Sequence, residues 1–284
     1  MAIQQHLSTQ PWNGRLAGIE TTDMPDNKKG DHHMLRNQRA SLFPATQSVE
    51  ILAPTLLEYW AIRSILPHAR VSWAGVRLAR WKLQYPHSAS KKEECSIVSP
   101  PASQQSIIYQ ENLERSIDTV SGSIVVVCGL AGALVHGLPP GSILIPERVG
   151  LADGRIMHCD PILVQMLVSA AHTLHFRSDS RPLLTAQTMI VGSDRHTWSG
   201  RGFVAADMET GLLAGRGLRV ATIRVVLDYP EQNISPDWLQ PTKAFLQPSR
   251  WRELFWLSRV APQYALRAAH VLKVGLGIGP EQAC

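Results

Sequence analysis

The stretch of sequence that decides the fold is residues 123–149, SIVVVCGLAGALVHGLPPGSILIPERV. Its first seven residues, SIVVVCG, are mostly β-branched and apolar on both faces, which predicts a central strand of a parallel sheet. A glycine cluster at residues 128–133 follows directly, and small residues there let the backbone approach a ligand. After a Pro-Gly turn, GSILIPERV (141–149) predicts a second strand of the same kind.

Strands and helices alternate on both sides of this stretch. In chain order, the sequence predicts a strand over 49–54 (VEILAP), a helix over 55–67, a strand over 69–75, a helix over 160–176, a strand over 185–192, a helix over 206–217, a strand over 219–228 (RVATIRVVLD) and helical structure over 251–276. The helix over 160–176 begins at Asp160 and Pro161, a pair typical of helix N-termini. This alternation favours an α/β layered domain with a largely parallel sheet.

Composition divides the chain into a tail and one domain. Residues 1–48 contain few aliphatic residues and many turn formers, so we expect a disordered or poorly ordered N-terminal extension. Residues 49–284 are predicted to form a single domain. Within this domain, residues 84–106 are rich in Ser, Pro and charge, which predicts a loop insertion.

Charge and cysteine content narrow the class of protein. The net charge is +5 and the pI is near 9.2. The basic residues are scattered and lack interleaved aromatic residues, so a solvated basic surface is favoured over nucleic-acid binding. The four cysteines, Cys95, Cys128, Cys159 and Cys284, lack framework spacing, as expected of reduced thiols. Without a signal-like segment or an apolar run near the roughly 20 residues of a membrane span, we expect a soluble, cytoplasmic protein.

Several familiar motifs are missing or weak. The glycine cluster does not match GxGxxG, and neither GxxxxGK[ST] nor GxSxG occurs, which argues against a dinucleotide site, a P-loop and a serine hydrolase. His32-His33 lacks further ligands at suitable spacing, and the adjacent residues His158-Cys159-Asp160 cannot easily converge on one ion. We therefore expect no metal and no cofactor.

Four acids lie where a ligand site is expected. Asp207 and Glu209 stand at the head of a predicted helix, where acids are also common as caps. Asp228 ends an apolar strand, and ligands of open α/β sheets bind beyond the carboxyl ends of strands. Capping of the following Tyr-Pro turn is the competing interpretation of Asp228. Glu58 lies in a mostly apolar helix, where a helix-surface carboxylate is the plainer interpretation.

Three segments, in this order, resemble the nucleoside phosphorylase and nucleosidase superfamily, which includes methylthioadenosine/S-adenosylhomocysteine nucleosidase and the uridine and purine phosphorylases. VVVCGLAGALVHGLPPGSILIPERV is similar to the family's strand, glycine loop and "PGD-strand". IVGSDRHTWSGRGFVAADMET is similar to its segment ending in VDMES, and VATIRVVLD to its strand ending in R-x-x-S-D. The resemblance, over about Val49 to Asp237, implies a three-layer αβα fold with a central mixed, mostly parallel twisted sheet. The GLAG loop followed by PERV looks most like the hopanoid-associated branch, thought to remove adenine from adenosylhopane.

The resemblance implies an enzyme that cleaves the N-glycosidic bond of a purine nucleoside, here a 5′-substituted adenosine. Asp228 matches the family's general acid, which protonates N7 of the leaving base. Glu209 matches the residue that accepts hydrogen bonds from both ribose hydroxyls, and the backbone of Met208 would line the ribose pocket. Glu58 aligns with the acid that activates water in the hydrolytic members.

The nucleophile is left open between water and phosphate as a co-substrate. The resemblance places the glycine loop against the nucleophile, with Gly129, Leu130, Ala131 and Gly132. This loop carries no hydroxyl for phosphate, which favours water slightly. Arg63 and Arg77 are candidate phosphate partners or ordinary surface residues.

Three positions depart from the family's pattern. Ala133 replaces a glycine, Thr210 replaces a serine, and Leu227 removes a supporting hydroxyl beside Asp228. A phosphorolytic purine nucleoside phosphorylase and a degenerate, non-catalytic nucleoside-binding module are therefore alternatives, although the three acids together argue against the second. Trp198 is a candidate for stacking on the base, or else a core or surface tryptophan.

The expected partners are a small nucleoside substrate and further copies of the chain. Members of the family usually form dimers or higher oligomers, so the resemblance implies a homo-oligomer. The amphipathic helix predicted over 251–276 contains several arginines. It packs on its own domain or a partner subunit, or it rests on a membrane surface if the substrate is lipid-linked.

Overall fold

The central strand of the sheet forms where the sequence predicts it. The computed structural model describes residues 48–66, 71–73, 79–84, 124–232, 234–235 and 247–278. The predicted extension up to residue 47 and the predicted insertion from residue 85 lie outside the described residues. The strands are β1 (Ser48–Ala53), β2 (Val71–Trp73), β3 (Ala79–Gln84), β4 (Ile124–Ala133), β5 (Ile143–Leu144), β6 (Arg148–Leu151), β7 (Ile156–His158), β8 (Ser178–Asp179), β9 (Leu183–Thr185), β10 (Ala205–Asp207) and β11 (Arg219–Asp228). The helices are α1 (Leu56–Ile65), α2 (Pro161–Thr173), α3 (Asp194–Ser199), α4 (Thr210–Ala214) and α5 (Trp251–Gly275), with a 3₁₀ turn at Pro248–Arg250.

The sheet is organised around β4. The first half of β4 pairs in parallel with β1, and nearly its whole length pairs in parallel with β11. Its last residues, Gly132 and Ala133, pair antiparallel with β10. The strand order is β2-β3-β1-β4-β10-β9-β6-β7, and β11 leads from β4 to β5 and β8. The described strands form five parallel and five antiparallel pairings, so the sheet is mixed.

Alternation along β4 gives the sheet its two apolar faces. Ile124, Val126 and Cys128 belong to the larger core cluster, which also contains residues of α1, α2 and α5. Val125 and Val127 belong to a smaller cluster with Leu213 of α4. Helices therefore flank both faces of the sheet, which confirms the predicted α/β fold with an αβα arrangement.

Four predicted elements differ from the structure. The single strand predicted over 141–149 is wrong, because the chain forms two short strands there: β5 pairs with β8 and β11, whereas β6 pairs with β7 and β9. The predicted strand over 185–192 is wrong, because β9 ends at Thr185, where its neighbours β6 and β10 also end and leave the following chain without a ladder partner. The predicted helix over 206–217 is shorter, since its first residues complete β10 and α4 begins at Thr210. The glycine cluster is part of a strand rather than a loop, because β4 continues to Ala133 alongside β11.

Helix α5 packs on its own domain. Its buried stripe consists of small and aliphatic residues, namely Ala261, Ala265, Ala268, Ala269, Val271 and Leu272. Trp251 and Phe255, at its start, are exposed. This confirms packing on its own domain, whereas contact with a membrane surface stays a prediction. No helix in the described ranges is long and apolar enough to cross a membrane.

Asp160 caps α2, as predicted, and also joins that helix to the sheet. Its Oδ1 accepts hydrogen bonds from the backbone N–H groups of Ile162 at 3.1 Å and Leu163 at 3.0 Å. Its Oδ2 pairs with Nε of Arg219 on β11 at 2.7 Å. The carboxylate thus holds the first turn of α2 against the start of β11.

We expect Asp160→Ala to lower the free energy of unfolding by about 1–2 kcal/mol, because loss of an N-cap has a cost of that order. Urea denaturation followed by circular dichroism measures the change. Asp153→Ala is the matched control, since the Asp153 carboxylate is exposed on a turn, and it should change stability by less than about 0.5 kcal/mol. Equal losses in the two variants would contradict the capping role.

Candidate functional site

A cavity of about 310 Å³ lies beside the last residues of β4 and the ends of β10 and β11. The helix start after β1 closes one side, and residues of α3 close another. Segments that are far apart in the sequence meet here. The predicted site residues that line the cavity are Glu58, Leu130, Ala131, Gly132, Met208, Glu209 and Asp228.

Glu58 reaches the cavity because α1 begins directly after β1. Thr55 and Glu58 form a capping box, in which the Thr55 backbone N–H donates to Glu58 Oε2 at 2.7 Å and the Glu58 N–H donates to Thr55 Oγ1 at 3.3 Å. Glu58 Oε1 accepts a hydrogen bond from the Leu130 N–H of β4 at 2.6 Å. Glu58 is only 3% exposed. The interpretation of Glu58 as a helix-surface carboxylate is therefore wrong.

Arg224 holds a second group of acids. It continues the row of Val220 and Thr222 on one face of β11, and it is 1% exposed. Its Nη2 donates to Asp207 Oδ2 at 2.6 Å and to Glu209 Oε2 at 2.9 Å. Charge-assisted hydrogen bonds of this kind, in a buried setting, fix the position of the Glu209 carboxylate at the cavity.

Asp207 satisfies the N-terminus of α4. Its Oδ2 accepts hydrogen bonds from the Thr210 N–H at 3.2 Å and from the Thr210 hydroxyl. Its Oδ1 accepts from the Thr185 hydroxyl at 2.5 Å, and Thr185 Oγ1 accepts from the Gly211 N–H at 2.7 Å. Glu209 occupies the N-cap position but makes no side-chain cap hydrogen bond. Of the two acids, Asp207 is therefore the helix cap. The Glu209 carboxylate instead binds Arg224 and lines the cavity.

Gly129 leaves the space in which Glu58 and Arg224 approach each other. A Cβ atom on Gly129 would lie 2.7 Å from Glu58 Cδ and 2.8 Å from Arg224 Nη1, closer than atoms pack. Gly129 itself is not among the described residues that line the cavity. The N–H of Leu130, which was expected to belong to a loop facing the nucleophile, is bonded to Glu58.

A β-bulge directs Asp228 at the cavity. The pairing register of β4 and β11 shifts at Leu227, and both Leu227 and Asp228 line the cavity. Asp228 Oδ2 forms an ion pair with Nη2 of Arg195, which is 2% exposed, and accepts a hydrogen bond from the Ile234 N–H at 3.2 Å. These two contacts support Asp228 where Leu227 supplies no hydroxyl.

Burial dominates the electrostatics of two site acids. Burial raises the pKa of Glu58 from 4.5 to about 7, against the lowering effect of Arg224 and with a further increase from Glu209. Burial also raises the pKa of Asp228, and the Arg195 guanidinium partly opposes this increase. Both groups hold a proton more readily than in water, and Glu58 exchanges its proton near neutral pH.

Other predicted site residues lie elsewhere. The Trp198 ring packs edge-to-face on Phe203 with centroids 6.1 Å apart, Arg201 lies 4.6 Å from its centroid, and Trp198 is not among the described cavity-lining residues. This geometry matches the packing alternative, and base stacking by Trp198 stays a prediction. Arg63 does not line the described cavity, and Arg77 lies outside the described residues. No cluster of three His, Cys, Asp or Glu side chains able to hold a metal occurs in the part of the chain that the structure describes.

Sequence reasoning assigned no role to the two cations of the site, Arg195 and Arg224. Arg224 is a charge within an otherwise apolar strand, and that contrast could have marked it as a buried ion-pair partner. The Thr-x-x-Glu spacing of Thr55 and Glu58 is the signature of a capping box and was equally readable. Arg195 carries no such signal, because it lies on a six-residue helix and meets Asp228, 33 positions later, only through the fold.

The mixed sheet with flanking helices defines the class of this protein as α/β. No protein-family model matches the sequence, and no curated protein matches it.

Three solved structures are similar in fold to this chain. Futalosine hydrolase of Helicobacter pylori strain 26695 matches with a TM-score of 0.55 at 13% identity, over 80% of this chain and 96% of that one. The 5′-methylthioadenosine/S-adenosyl homocysteine nucleosidase of Helicobacter pylori matches with a TM-score of 0.58 at 13% identity, over 82% and 99% of the two chains. The S-adenosylhomocysteine nucleosidase of Streptococcus pyogenes, in complex with 5-methylthiotubericidin, matches with a TM-score of 0.54 at 12% identity, over 81% and 96%.

At these identities the likeness shows the fold. The matched structures belong to the nucleoside phosphorylase and nucleosidase superfamily, so the fold implied by the three sequence segments is confirmed. The resemblance to the hopanoid-associated branch stays a prediction.

The raised pKa of Glu58 makes the stability of the protein depend on pH. In the unfolded chain Glu58 ionises near 4.5, whereas in the folded protein it keeps its proton up to about 7. Between these values the folded state binds more protons than the unfolded state. The folded protein is therefore most stable below pH 4.5, where Glu58 is protonated in both states. Its free energy of unfolding falls as the pH rises from 4.5 to about 7. The loss is about 3 kcal/mol, since one pKa unit corresponds to about 1.4 kcal/mol.

We expect Glu58→Gln to remove this loss, because the amide stays neutral. At about pH 5 the variant and the wild type should unfold at similar temperatures, and at about pH 8.5 the variant should unfold about 4–8 °C higher. Differential scanning calorimetry at both pH values makes the comparison. Glu231→Gln is the control, since Glu231 is exposed and its pKa is lowered by His136. A constant temperature difference for Glu58→Gln at both pH values would count against a buried, proton-holding Glu58.

Proposed function

We propose that the protein cleaves the N-glycosidic bond of a purine nucleoside, in particular a 5′-substituted adenosine, with water as the nucleophile. The observation that carries this proposal is the convergence of Glu58, Glu209 and Asp228 on one cavity. Cleavage leaves positive charge on the ribose and negative charge on the departing base. The fold supports the proposal, since its solved neighbours include a nucleosidase named for 5′-methylthioadenosine and S-adenosyl homocysteine.

Asp228 is the group that protonates the leaving base. Burial raises the pKa of Asp228, which favours the protonated carboxyl group that donates to N7 as the bond breaks. The ion pair with Arg195 and the hydrogen bond from the Ile234 N–H orient this carboxyl group. The proton leaves Asp228 and is bound by N7 of the base, so the base departs as a neutral molecule.

Glu209 is the group that holds the ribose. Its Oε2 is bound to Arg224, and the carboxylate lines the cavity beside the backbone of Met208. A carboxylate that accepts hydrogen bonds from the ribose hydroxyls fixes the sugar and places negative charge near the developing cation. Arg224 keeps that carboxylate in place through a contact of 2.9 Å.

Glu58 is the group that activates water. With a pKa of about 7, Glu58 is poised near neutral pH, where a general base is most effective. The water oxygen bonds to C1′ as the bond to the base breaks, and one water proton passes to Glu58. Water is favoured over phosphate because both guanidinium groups of the cavity wall, Arg195 and Arg224, are ion-paired with carboxylates.

The cavity wall favours an apolar 5′ substituent. Its apolar residues include Met189, Ile190, Leu227, Ile234 and Leu257. On this basis, and on the resemblance to the hopanoid-associated branch, we extend the proposal to lipid-linked nucleosides such as adenosylhopane. Exposed aromatic residues at the start of α5 are candidates for contact with a membrane that holds such a substrate. A homo-oligomer in the cytoplasm, implied by the resemblance, completes the proposal.

Release of adenine tests the proposed function. Adenosine, 5′-methylthioadenosine, S-adenosylhomocysteine and a 5′-alkyl adenosine are incubated with the protein, with and without phosphate, and the base and sugar products are separated by chromatography. We expect phosphate-independent release of adenine together with the free sugar. Asp228→Asn should lower kcat by about 10²–10⁴-fold, the usual contribution of a general acid, whereas Asp153→Asn, at an exposed turn, should leave kcat unchanged.

The other outcomes of this experiment are equally informative. Release that requires phosphate and yields a sugar phosphate would move the assignment to a nucleoside phosphorylase. Binding of nucleosides without release of any base would identify a non-catalytic binding module. Unchanged kcat in a folded Asp228→Asn variant would remove Asp228 from the mechanism.

Gly132 supplies a finer test of where Asp228 must lie. A Cβ atom on Gly132 would lie 2.7 Å from Asp228 Oδ1 and 3.8 Å from Arg195 Nη2, and the φ angle of Gly132 is not positive. We expect Gly132→Ala to lower kcat by about 10²-fold, as a misplacement of about 1 Å does. Gly137→Ala is the matched control, because its Cβ would meet nothing within 4 Å. Full kcat in a folded Gly132→Ala variant would argue against acid catalysis by Asp228.

A further inference from the structure

Exposed large apolar side chains gather on two helices, α1 and α5. Among the residues that the structure describes, five large hydrophobic side chains are exposed, and four of them lie on these helices. They are Leu56 and Trp60, at 50% and 60% exposure, and Trp251 and Phe255, at 52% and 69%. Single exposed apolar residues are ordinary, whereas such a cluster marks a surface that binds another molecule.

Helical spacing places each pair on one outer face. Leu56 and Trp60 are four residues apart on α1, as are Trp251 and Phe255 on α5, so the two side chains of each pair project from the same side of their helix. The two helices pack against each other. The four apolar side chains therefore belong to neighbouring parts of the molecular surface.

Arginines border the aromatic residues of α5. Arg259 continues the four-residue spacing of Trp251 and Phe255, and Arg252 follows Trp251 directly; both arginines are exposed. A helix face on which aromatic residues and arginines adjoin is typical of segments that lie in the headgroup region of a membrane. We refer to the two arginines and the four exposed apolar residues as the α1–α5 surface.

Along Leu56–Ile65 and Trp251–Gly275, no acid is exposed. Each helix contains one acid, and both acids are turned to the protein. Glu58 is 3% exposed, and the half-buried Glu253 accepts a hydrogen bond from the Ser235 N–H at 2.7 Å. In a two-fold contact between copies of the chain this surface would meet itself, so arginines would face arginines without an exposed acid between them. Anionic lipid headgroups supply the missing opposite charge, which favours a membrane over a second copy.

The segments that carry the α1–α5 surface also line the cavity. Thr55 directly precedes Leu56, and Leu257 lies between Phe255 and Arg259; both Thr55 and Leu257 are cavity-lining residues. A protein that binds a bilayer through this surface therefore holds the cavity close to the lipid.

We propose that the α1–α5 surface binds the protein peripherally to bilayers that contain anionic lipids. The aromatic side chains enter the headgroup region, and the arginines pair with the anionic headgroups. This role rests on the lipid-linked substrate of the proposed function, and it adds a second helix and a lipid charge to the contact at the start of α5. Vesicle binding requires no substrate, so its failure is distinguishable from failure of the proposed reaction.

Co-sedimentation of the full chain with vesicles tests the proposal. Vesicles of phosphatidylcholine that contain phosphatidylserine are compared with vesicles of phosphatidylcholine alone. We expect the wild type to bind the anionic vesicles at least about 10-fold more tightly, since each arginine near the membrane contributes about 5-fold. High salt should abolish this preference, because it screens charges at the surface. The salt series needs no variant.

Two variants separate the apolar contribution from the charged one. Phe255→Ser should weaken binding to anionic vesicles by about 10-fold, because less apolar area is buried in the membrane. Arg252→Gln/Arg259→Gln should lower the preference for anionic vesicles by about 10-fold or more. All three side chains are exposed, so we expect these variants to fold.

The hairpin of β6 and β7 supplies matched controls. Ile156 is 58% exposed, and Arg148 and Arg155 are exposed beside it. Ile156→Ser removes an exposed apolar side chain, and Arg148→Gln/Arg155→Gln lowers the net charge by the same amount as the α5 variant. Neither control should change vesicle binding.

Several outcomes would overturn the proposal. They are absence of vesicle binding, equal binding to the two kinds of vesicle, and equal losses in the α5 and hairpin variants. Light scattering after gel filtration tests whether a second copy covers the surface: we expect Phe255→Ser to keep the molar mass of the wild type. A fall in molar mass would assign the surface to self-association instead. Adenine release from 5′-methylthioadenosine is measured without vesicles, so the proposed reaction is tested independently.

Discussion

The guanidinium group of Arg224 is 1% exposed and binds two carboxylates. One is that of Asp207 at the end of β10, and the other is that of Glu209 at the start of α4. A buried charge of this kind is tolerable only when partners and hydrogen bonds compensate for its desolvation. Here Asp207 and Glu209 provide that compensation, and Asp207 in turn fixes Thr185 and the start of α4. The ion pairs of Arg224 therefore couple the middle of the sheet to the residues that surround the cavity.

The second cation, Arg195, binds the carboxylate of Asp228 in the other half of the site. Four carboxylates and two guanidinium groups thus line the described cavity. If every acid were ionised, the cavity would carry an excess of buried negative charge, which is unfavourable. Burial and the neighbouring Glu209 carboxylate instead raise the pKa of Glu58 to about 7. Desolvation is the largest of these effects, and it is the physical reason that Glu58 exchanges its proton near neutral pH.

Local patterns predict the longer strands and helices, but neither short elements such as β3, β7 and α3 nor how the elements meet. β4, β11 and α2 follow from β-branched runs and from the Asp160-Pro161 start, which depend on neighbouring residues alone. The strand predicted over 185–192 failed, because its end depends on where the strands beside it end. The acids at strand and helix ends were found for the same local reasons. The Arg195 contact and the bulge at Leu227 depend on tertiary pairing, which no local pattern encodes.

In the proposed mechanism, Leu227 stands where the family pattern carries serine, and Arg195 supports the acid instead. A guanidinium group beside a carboxyl group strongly favours the ionised form. Arg195 alone would therefore make Asp228 a poor proton holder. Burial opposes Arg195 and is the larger effect, so the pKa of Asp228 is still raised. The cation orients the acid and burial raises its pKa, so the proposed mechanism draws the two requirements of an acid catalyst from different features of the site.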